Sequence, residues 1–257
     1  MKKGTILLLL ALLLALPLAA QADITIDPQV AVVNGHVTVA WTDSENNGPY
    51  LLGYQYYDES SSAVQTAFWA GGDQASSTTE KKQFTFDYLL PGHQYLVDVF
   101  TENGDEDSAV ITVPAAEEFV DGKLKASSVR TSVDYRYMKV GGDSIGSLDQ
   151  LKASDMVQHI EDRYYGMRYE ITLPELAYAR DYFVQIAMYA PNGYCETVHT
   201  SQYEFSTGVG FTHYLRLMGV DFFADMYVKN GDIPVGDYTI ELYFNGMLAN
   251  TRTFKVR

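Results

Sequence analysis

The chain has a single cysteine, Cys195, among its 257 residues. No internal disulfide can form, and a polypeptide of this length must be held together by its core. Basic charge is scarce as well. Eighteen Lys and Arg stand against 33 Asp and Glu, for a formal net charge of −15. That balance excludes nucleic acid as a partner, because phosphate binding rests on many Lys and Arg contacts and the counterions they release. It also disfavours anionic lipid and favours solubility. Beyond the start of the chain no long hydrophobic run occurs. The one unbroken run, Ile6 to Leu16, falls short of the roughly 20 residues a bilayer-spanning helix needs. With Lys2 and Lys3 before it and Ala20-Gln21-Ala22 after it, residues 1–22 read as a secretory signal peptide. No cysteine marks the cleavage point, which argues against a lipid anchor. The expected mature protein starts at Asp23, is secreted or periplasmic, and has no membrane association after cleavage. Loss of Lys2 and Lys3 takes its net charge from −15 to −17.

Catalytic signatures are missing too. There is no phosphate-binding glycine loop, nucleophile elbow or dinucleotide fingerprint. The five histidines (36, 93, 159, 199 and 213) form no HxH or HExxH spacing. Cys195 and His199 are four apart and would share one side of a regular strand. A Cys-His nucleophile needs an electropositive site, whereas Glu196 adjoins this cysteine, so the pair reads as a half-buried thiol beside a surface histidine. The stretch TENGDEDS (101–108) holds four acids in eight positions but lacks EF-hand spacing. It reads as a solvated hairpin loop with Asn103-Gly104 at the turn. Paired carboxylates are too plentiful to inform. The expectation is a non-enzyme without cofactor or metal.

What the chain does have is period-two alternation broken by Gly, Asn, Asp and Pro, the all-β pattern. Two units are expected, residues 23–114 and 115–257, joined near VPAAEEF (113–119). In the first, Val37, Val39 and Trp41 share a face, as do Leu52, Tyr54 and Tyr56; Phe84, Phe86 and Tyr88; and Tyr95, Val97 and Val99. Tyr95 follows three residues after Gly92 in LLPGHQY. A buried tyrosine must satisfy its hydroxyl. Placed at the corner between two sheets, it reaches backbone a few residues upstream, with Leu90 packing inward and Pro91-Gly92 turning the chain. The set Trp41, Tyr54, Leu90, Gly92 and Tyr95 resembles a fibronectin type III domain. The resemblance spans residues 23–114 and implies a seven-stranded sandwich that serves as spacer or adhesion module, rarely as a catalyst. No Arg-Gly-Asp tripeptide is present.

The second unit reads as a looser immunoglobulin-like sandwich with a short helical insertion. Strands are expected at LKASSVRTSVDYRYMKV, YGMRYEITLP, DYFVQIAMYA, YCETVHTSQYEF and FFADMYV. Tyr238, Ile240, Leu242 and Phe244 align on one face before an Asn245-Gly246 hairpin signal, and Phe254 and Val256 return on the partner strand. One or two helical turns are expected between Ser147 and Gly166.

Aromatics supply the candidate binding residues. Trp69, on an expected edge strand before two glycines, and the outward-alternating Tyr57 could form a platform for a sugar ring or an apolar partner; equally, Trp69 could cover the sandwich edge. The functional expectation is an exported non-catalytic module that binds protein or cell envelope. The alternative is a carbohydrate-binding accessory protein, and a third class is a small hydrolase with a site scattered over the second unit.

Overall fold

The computed structural model describes residues 24–46, 48–58, 63–70, 81–122, 124–137, 152–154, 156–157, 165–173, 180–205, 211–218 and 221–257. The expected signal peptide lies outside these residues. The described chain is all-β apart from one helix, a 3₁₀ turn at Ala126–Ser128 and short helical turns at 153–154 and 156–157.

Two facing sheets build the N-terminal part. One contains β1 (Ile24–Ile26), β2 (Ala31–Val33), β3 (His36–Asp43) and β6 (Gln83–Phe86), with β1, β2 and β6 all pairing with β3. The other runs β5-β4-β7-β8, from β4 (Tyr50–Asp58), β5 (Ala63–Ala70), β7 (Gln94–Thr101) and β8 (Glu106–Thr112). Every pairing is antiparallel. Successive strand side chains point to opposite faces, so the alternation in HVTVAWTD and QYLVDVFT buries one face of each strand. Val37, Val39, Trp41 and Phe86 meet Leu52, Tyr54, Val97, Val99 and Ile111 in one core. Trp41 sits edge-on to Tyr50 at 5.2 Å, and Tyr54 edge-on to Phe86 at 5.5 Å. Such aromatic pairs add about 0.5–1.5 kcal/mol each beyond their buried area.

The tyrosine corner is present. Tyr95 is buried, and its hydroxyl accepts the Leu90 amide N–H at 2.8 Å. Gly92 turns with φ +79° and donates its N–H to the Val113 and Pro114 carbonyls. Two details depart from expectation. Tyr88 lies beyond the end of β6 and is half exposed, and Leu90 is buried away from the sandwich core. The Asn103-Gly104 turn joins β7 to β8 as expected, with the Gly104 N–H donated to the Thr101 carbonyl.

The C-terminal part holds β9 (Val120–Asp121), β10 (Leu124–Lys125), β11 (Arg130–Tyr137), β12 (Tyr165–Leu173), β13 (Arg180–Tyr189), β14 (Cys195–Phe205), β15 (Phe211–Met218), β16 (Gly236–Phe244) and β17 (Met247–Val256). Its sheets are ordered β14-β13-β16-β17, β11-β12-β15 and β10-β9. Tyr238, Ile240, Leu242 and Phe244 enter one core with Phe254 and Val256, as the alternation predicts, and Ile171 of β12 and Met156 of the helical turns join them. Asn245 (φ +51°) and Gly246 (φ +76°) form the two-residue turn between β16 and β17. Both residues of this turn type need positive φ, which Asn and Gly tolerate.

FFADMYV, expected as a strand, is instead the middle of helix α1 (Asp221–Asn230). Phe222, Phe223, Met226 and Tyr227 lie at i, i+1, i+4 and i+5, one face of a 3.6-residue period. The first three are buried in the core and Tyr227 packs against it. Gly231, at φ +77°, ends the helix and returns its N–H to the Tyr227 carbonyl at 2.8 Å, the left-handed glycine cap.

Candidate functional site

The chemistry-bearing side chains gather where the two parts meet, and β13 explains why. Its burial pattern has seven consecutive buried positions, Tyr182 to Met188. Tyr182, Val184, Ile186 and Met188 face the C-terminal core. The other face, Phe183, Gln185, Ala187 and Tyr189, meets the N-terminal part. The turn before β7 packs against it. The Gln185 amide nitrogen donates to the carbonyls of Asp87 (2.8 Å) and Leu89 (3.3 Å). Between them, Thr197 of β14 donates to the Tyr88 carbonyl at 2.6 Å. With the Leu90 N–H on Tyr95, a run of turn backbone that pairs with no strand finds side-chain partners, as buried peptide groups require. Leu90 packs with Ala187 and Tyr243.

The two Asn-Gly tips also touch. Asn34 and Gly35, both at positive φ, turn β2 into β3. A Cβ on Gly35 would lie 2.6 Å from the Gly246 nitrogen, so the tips meet backbone to backbone. Beside them His36 stacks on Phe183, ring centroids 4.0 Å apart, with Nδ1 2.8 Å from the Asp87 carboxylate. Phe183 is fixed in turn by Asn245, whose N–H donates to the Phe183 carbonyl and whose side-chain oxygen accepts the Phe183 N–H, both at 2.8 Å.

At the far end of this seam runs a polar chain. His93 Nε2 lies 3.0 Å from the Tyr189 hydroxyl, which is 3.4 Å from that of Tyr243, and Tyr243 donates to the Glu241 carboxylate. Burial, chiefly, pushes both tyrosines far above the usual phenol range. Burial also lowers the His93 pKa, with Glu241 pulling weakly the other way.

The Cys195–His199 pair is not brought together. The β13–β14 register shifts between Ile186 and Ala187, so Val198 is an extra bulged residue: Cys195 pairs with Tyr189 and Thr197 with Ala187, but His199 pairs with Ile186. Directly opposed residues share a face, and the bulge puts the thiol on the seam face and His199 on the core face. Cys195 is buried, and His199 Nε2 lies 3.0 Å from the Tyr203 hydroxyl. Alternation alone could not reveal this, because a bulge resets the count.

Tyr57 and Trp69 lie on adjacent strands, in β4 and the edge strand β5. Trp69 pairs with Gly53 and Tyr57 with Val64. Gly53 and Tyr57 are four residues apart along β4, roughly 13 Å, on the outer-face register positions of the sheet. The side chains of Tyr57 and Trp69 are outside the described ones. On the same outer face Leu51 and Val110 are exposed, and Ser108 donates to Asp98 at 2.6 Å. A separate pocket of about 330 Å³ lies beside the connecting segment, lined by Ala116 to Glu118 and Leu248 to Thr251. Among the described residues no group of His, Cys, Asp and Glu is placed to hold a metal ion.

No family model matches the chain, and no curated protein does. Among solved structures it is similar to a β-D-glucoside glucohydrolase from Trichoderma reesei (14% identity, 50% of this chain and 18% of that one, TM-score 0.30). It is also similar to carbohydrate-binding modules of the β-sandwich superfamily (13%, 77% and 84%, 0.22) and to fibronectin(III)-like modules of Clostridium thermocellum CbhA (9%, 91% and 93%, 0.21). The chain thus spans less than a fifth of the glucohydrolase. Likenesses at these scores carry no argument, and the all-β fold rests on the chain's own ladders and cores.

Proposed function

We propose that this is an exported, non-catalytic binding module of two β-sandwich domains, 23–114 and 115–257, set rigidly against each other. One observation carries the reading. The Cys-His pair that sequence analysis weighed for catalysis is taken apart, with Cys195 buried and His199 turned to the other face, and the polar groups His93, Tyr189 and Tyr243 join the two parts. The surface offered to a partner is the outer face of the β5-β4-β7-β8 sheet, where Leu51 and Val110 are exposed. The partner is a protein or cell-envelope polymer. A glycan is the second reading, favoured by Trp69 and Tyr57 holding outer-face register positions on neighbouring strands.

The test uses the mature protein on glycan arrays and on isolated cell envelope, alongside Val110→Asp and Trp69→Ala. Binding lost in Val110→Asp supports the face, and glycan binding lost in Trp69→Ala selects the second reading. Binding indifferent to both changes overturns the choice of surface. Turnover of an ester, peptide or glycoside that disappears in Cys195→Ala overturns the non-catalytic reading.

A further inference from the structure

Asparagine followed by glycine is a reactive pair, because glycine has no Cβ to shield its amide nitrogen from the neighbouring carboxamide. The chain holds six such pairs, and in four of them the asparagine side chain is described: Asn34, Asn103, Asn192 and Asn245. Their surroundings differ. We infer that Asn103 is a site of spontaneous covalent modification, which converts to aspartate and isoaspartate in the folded protein ahead of the other three.

The chemistry needs only water. The Gly104 nitrogen bonds to Cγ of Asn103, the Cγ–Nδ2 bond breaks, and ammonia leaves with the Gly104 amide proton. Water then opens the five-membered ring. Attack at Cγ returns aspartate. Attack at the main-chain carbonyl carbon leaves isoaspartate, with the chain rerouted through Cβ. To reach Cγ, the glycine nitrogen must give up its hydrogen bond, and the carboxamide must be free to turn onto it. The fold decides how many contacts are lost on the way.

Asn103 and Asn192 stand in matching turns. Thr101 N–H donates to the Asp105 carbonyl at 2.9 Å and Gly104 N–H to that of Thr101 at 3.1 Å; Ala190 N–H donates to the Tyr194 carbonyl at 2.8 Å and Gly193 N–H to that of Ala190 at 3.0 Å. Gly104 and Gly193 have φ +91° and +88°, and both asparagines are exposed. The side chains are held differently. The Asn192 oxygen accepts the Tyr194 N–H at 3.1 Å, which pins the carboxamide, and Pro191 stiffens that turn by fixing its own φ. The equivalent N–H in the other turn, that of Asp105, goes to the Thr101 hydroxyl at 3.1 Å. Among the described residues nothing hydrogen-bonds the Asn103 carboxamide, and a Cβ added at Gly104 would meet nothing within 4 Å.

Asn34 and Asn245 are held harder. Gly35 and Gly246 meet backbone to backbone, so a carboxamide reaches either nitrogen only when the tips part. The Asn245 oxygen also accepts the Phe183 N–H at 2.8 Å, and the Asn245 N–H donates to the Phe183 carbonyl. One additional hydrogen bond to break sets the expected gap between Asn103 and Asn192 at about 2- to 13-fold. Conversion adds a carboxylate between Glu102 and Asp105, and the isoaspartate form adds a backbone atom to the β7–β8 turn.

The test holds the mature chain at mildly alkaline pH, folded in buffer and unfolded in guanidinium. Conversion at each site is followed by peptide mass spectrometry, with fragmentation that separates aspartate from isoaspartate. The unfolded rate divided by the folded rate is the protection of a site, and it cancels the influence of neighbours in sequence such as Glu102. Protection is expected to be lowest at Asn103, at least twofold below Asn192, Asn34 and Asn245, with isoaspartate among the products. No substitution is made, so the fold compared is the native one. Protection at Asn103 within twofold of any of the other three, or above it, overturns the assignment. So does aspartate as the sole product, which direct attack of water on the carboxamide would give without the ring.

Discussion

Gly35 and Gly104 offer a matched pair of substitutions. Both have left-handed backbone, φ +84° and +91°, and both sit in hairpin turns. Alanine at either position incurs the clash between Cβ and the following carbonyl, about 1–2 kcal/mol. The surroundings differ. At Gly104 the added carbon meets nothing within 4 Å, while at Gly35 it lies 2.6 Å from the Gly246 nitrogen, 3.0 Å from the Phe183 ring and 3.1 Å from the Asn245 carbonyl carbon. Two of those three neighbours are backbone of a tight turn. Relief requires the tips to separate by around 1 Å, and overfilling of this kind costs about 1–3 kcal/mol. Gly35→Ala is therefore expected to lose about 1–3 kcal/mol more than Gly104→Ala in urea unfolding followed by tryptophan fluorescence. Gly246→Ala meets Gly35 from the other side, at 2.8 Å from its Cα. Once the tips have parted, the second methyl finds room, so the double variant should lose less than the two singles together. Equal losses for Gly35→Ala and Gly104→Ala, within about 0.5 kcal/mol, or full additivity in the double variant, would refute the contact.

Two further outcomes follow from the buried hydroxyls. Tyr95→Phe keeps the ring and removes the acceptor of the Leu90 N–H, leaving that buried donor unmatched; a loss of about 1–3 kcal/mol is expected, and a change under about 0.5 kcal/mol in denaturant midpoint analysis would show that water takes over the bond. Tyr54, Tyr182, Tyr189, Tyr238 and Tyr243 all have pKa values raised principally by burial. The unfolded chain ionises its phenols near 10, so stability present below that pH is lost as pH climbs above it; ultraviolet titration should show these rings ionising together with unfolding, and smooth ionisation of the whole tyrosine set near 10 with the fold intact would contradict the burial.

The parts of the fold legible in the sequence were those written locally. Tyr95 three residues after Gly92 reports a corner because ring, turn and the N–H that the hydroxyl accepts all lie within six residues. Asn245-Gly246 reports a hairpin because its dihedral demand is local. The face of Tyr238, Ile240, Leu242 and Phe244 follows from alternation alone. Three features escaped for physical reasons. FFADMYV places aromatics at spacings that fit a short strand as well as a helix, and the deciding glycine at 231 acts from outside the segment. The bulge at Val198 reverses which residues share a face without any compositional mark. The seam depends on contacts between residues about 100 positions apart, such as Gln185 with Asp87, and the glutamates of the connecting segment carry no sign of it. They are exposed, but the joint is made by a turn and a strand elsewhere. The one trace of it was the near-continuous apolar run FVQIAMYA, the pattern of a strand covered on both sides.

That doubly covered strand bears on how this architecture can be cut and recombined. β13 is a party wall: removing the first 114 residues would uncover Phe183, Ala187 and an amide built to grip a missing turn, leaving a sticky flank on the remaining fragment. The reverse cut leaves a loop whose carbonyls can be wetted, and it uncovers Leu90. The halves are unequal tenants, and a fusion that borrows the leading one should travel far better than a fusion that borrows the trailing one.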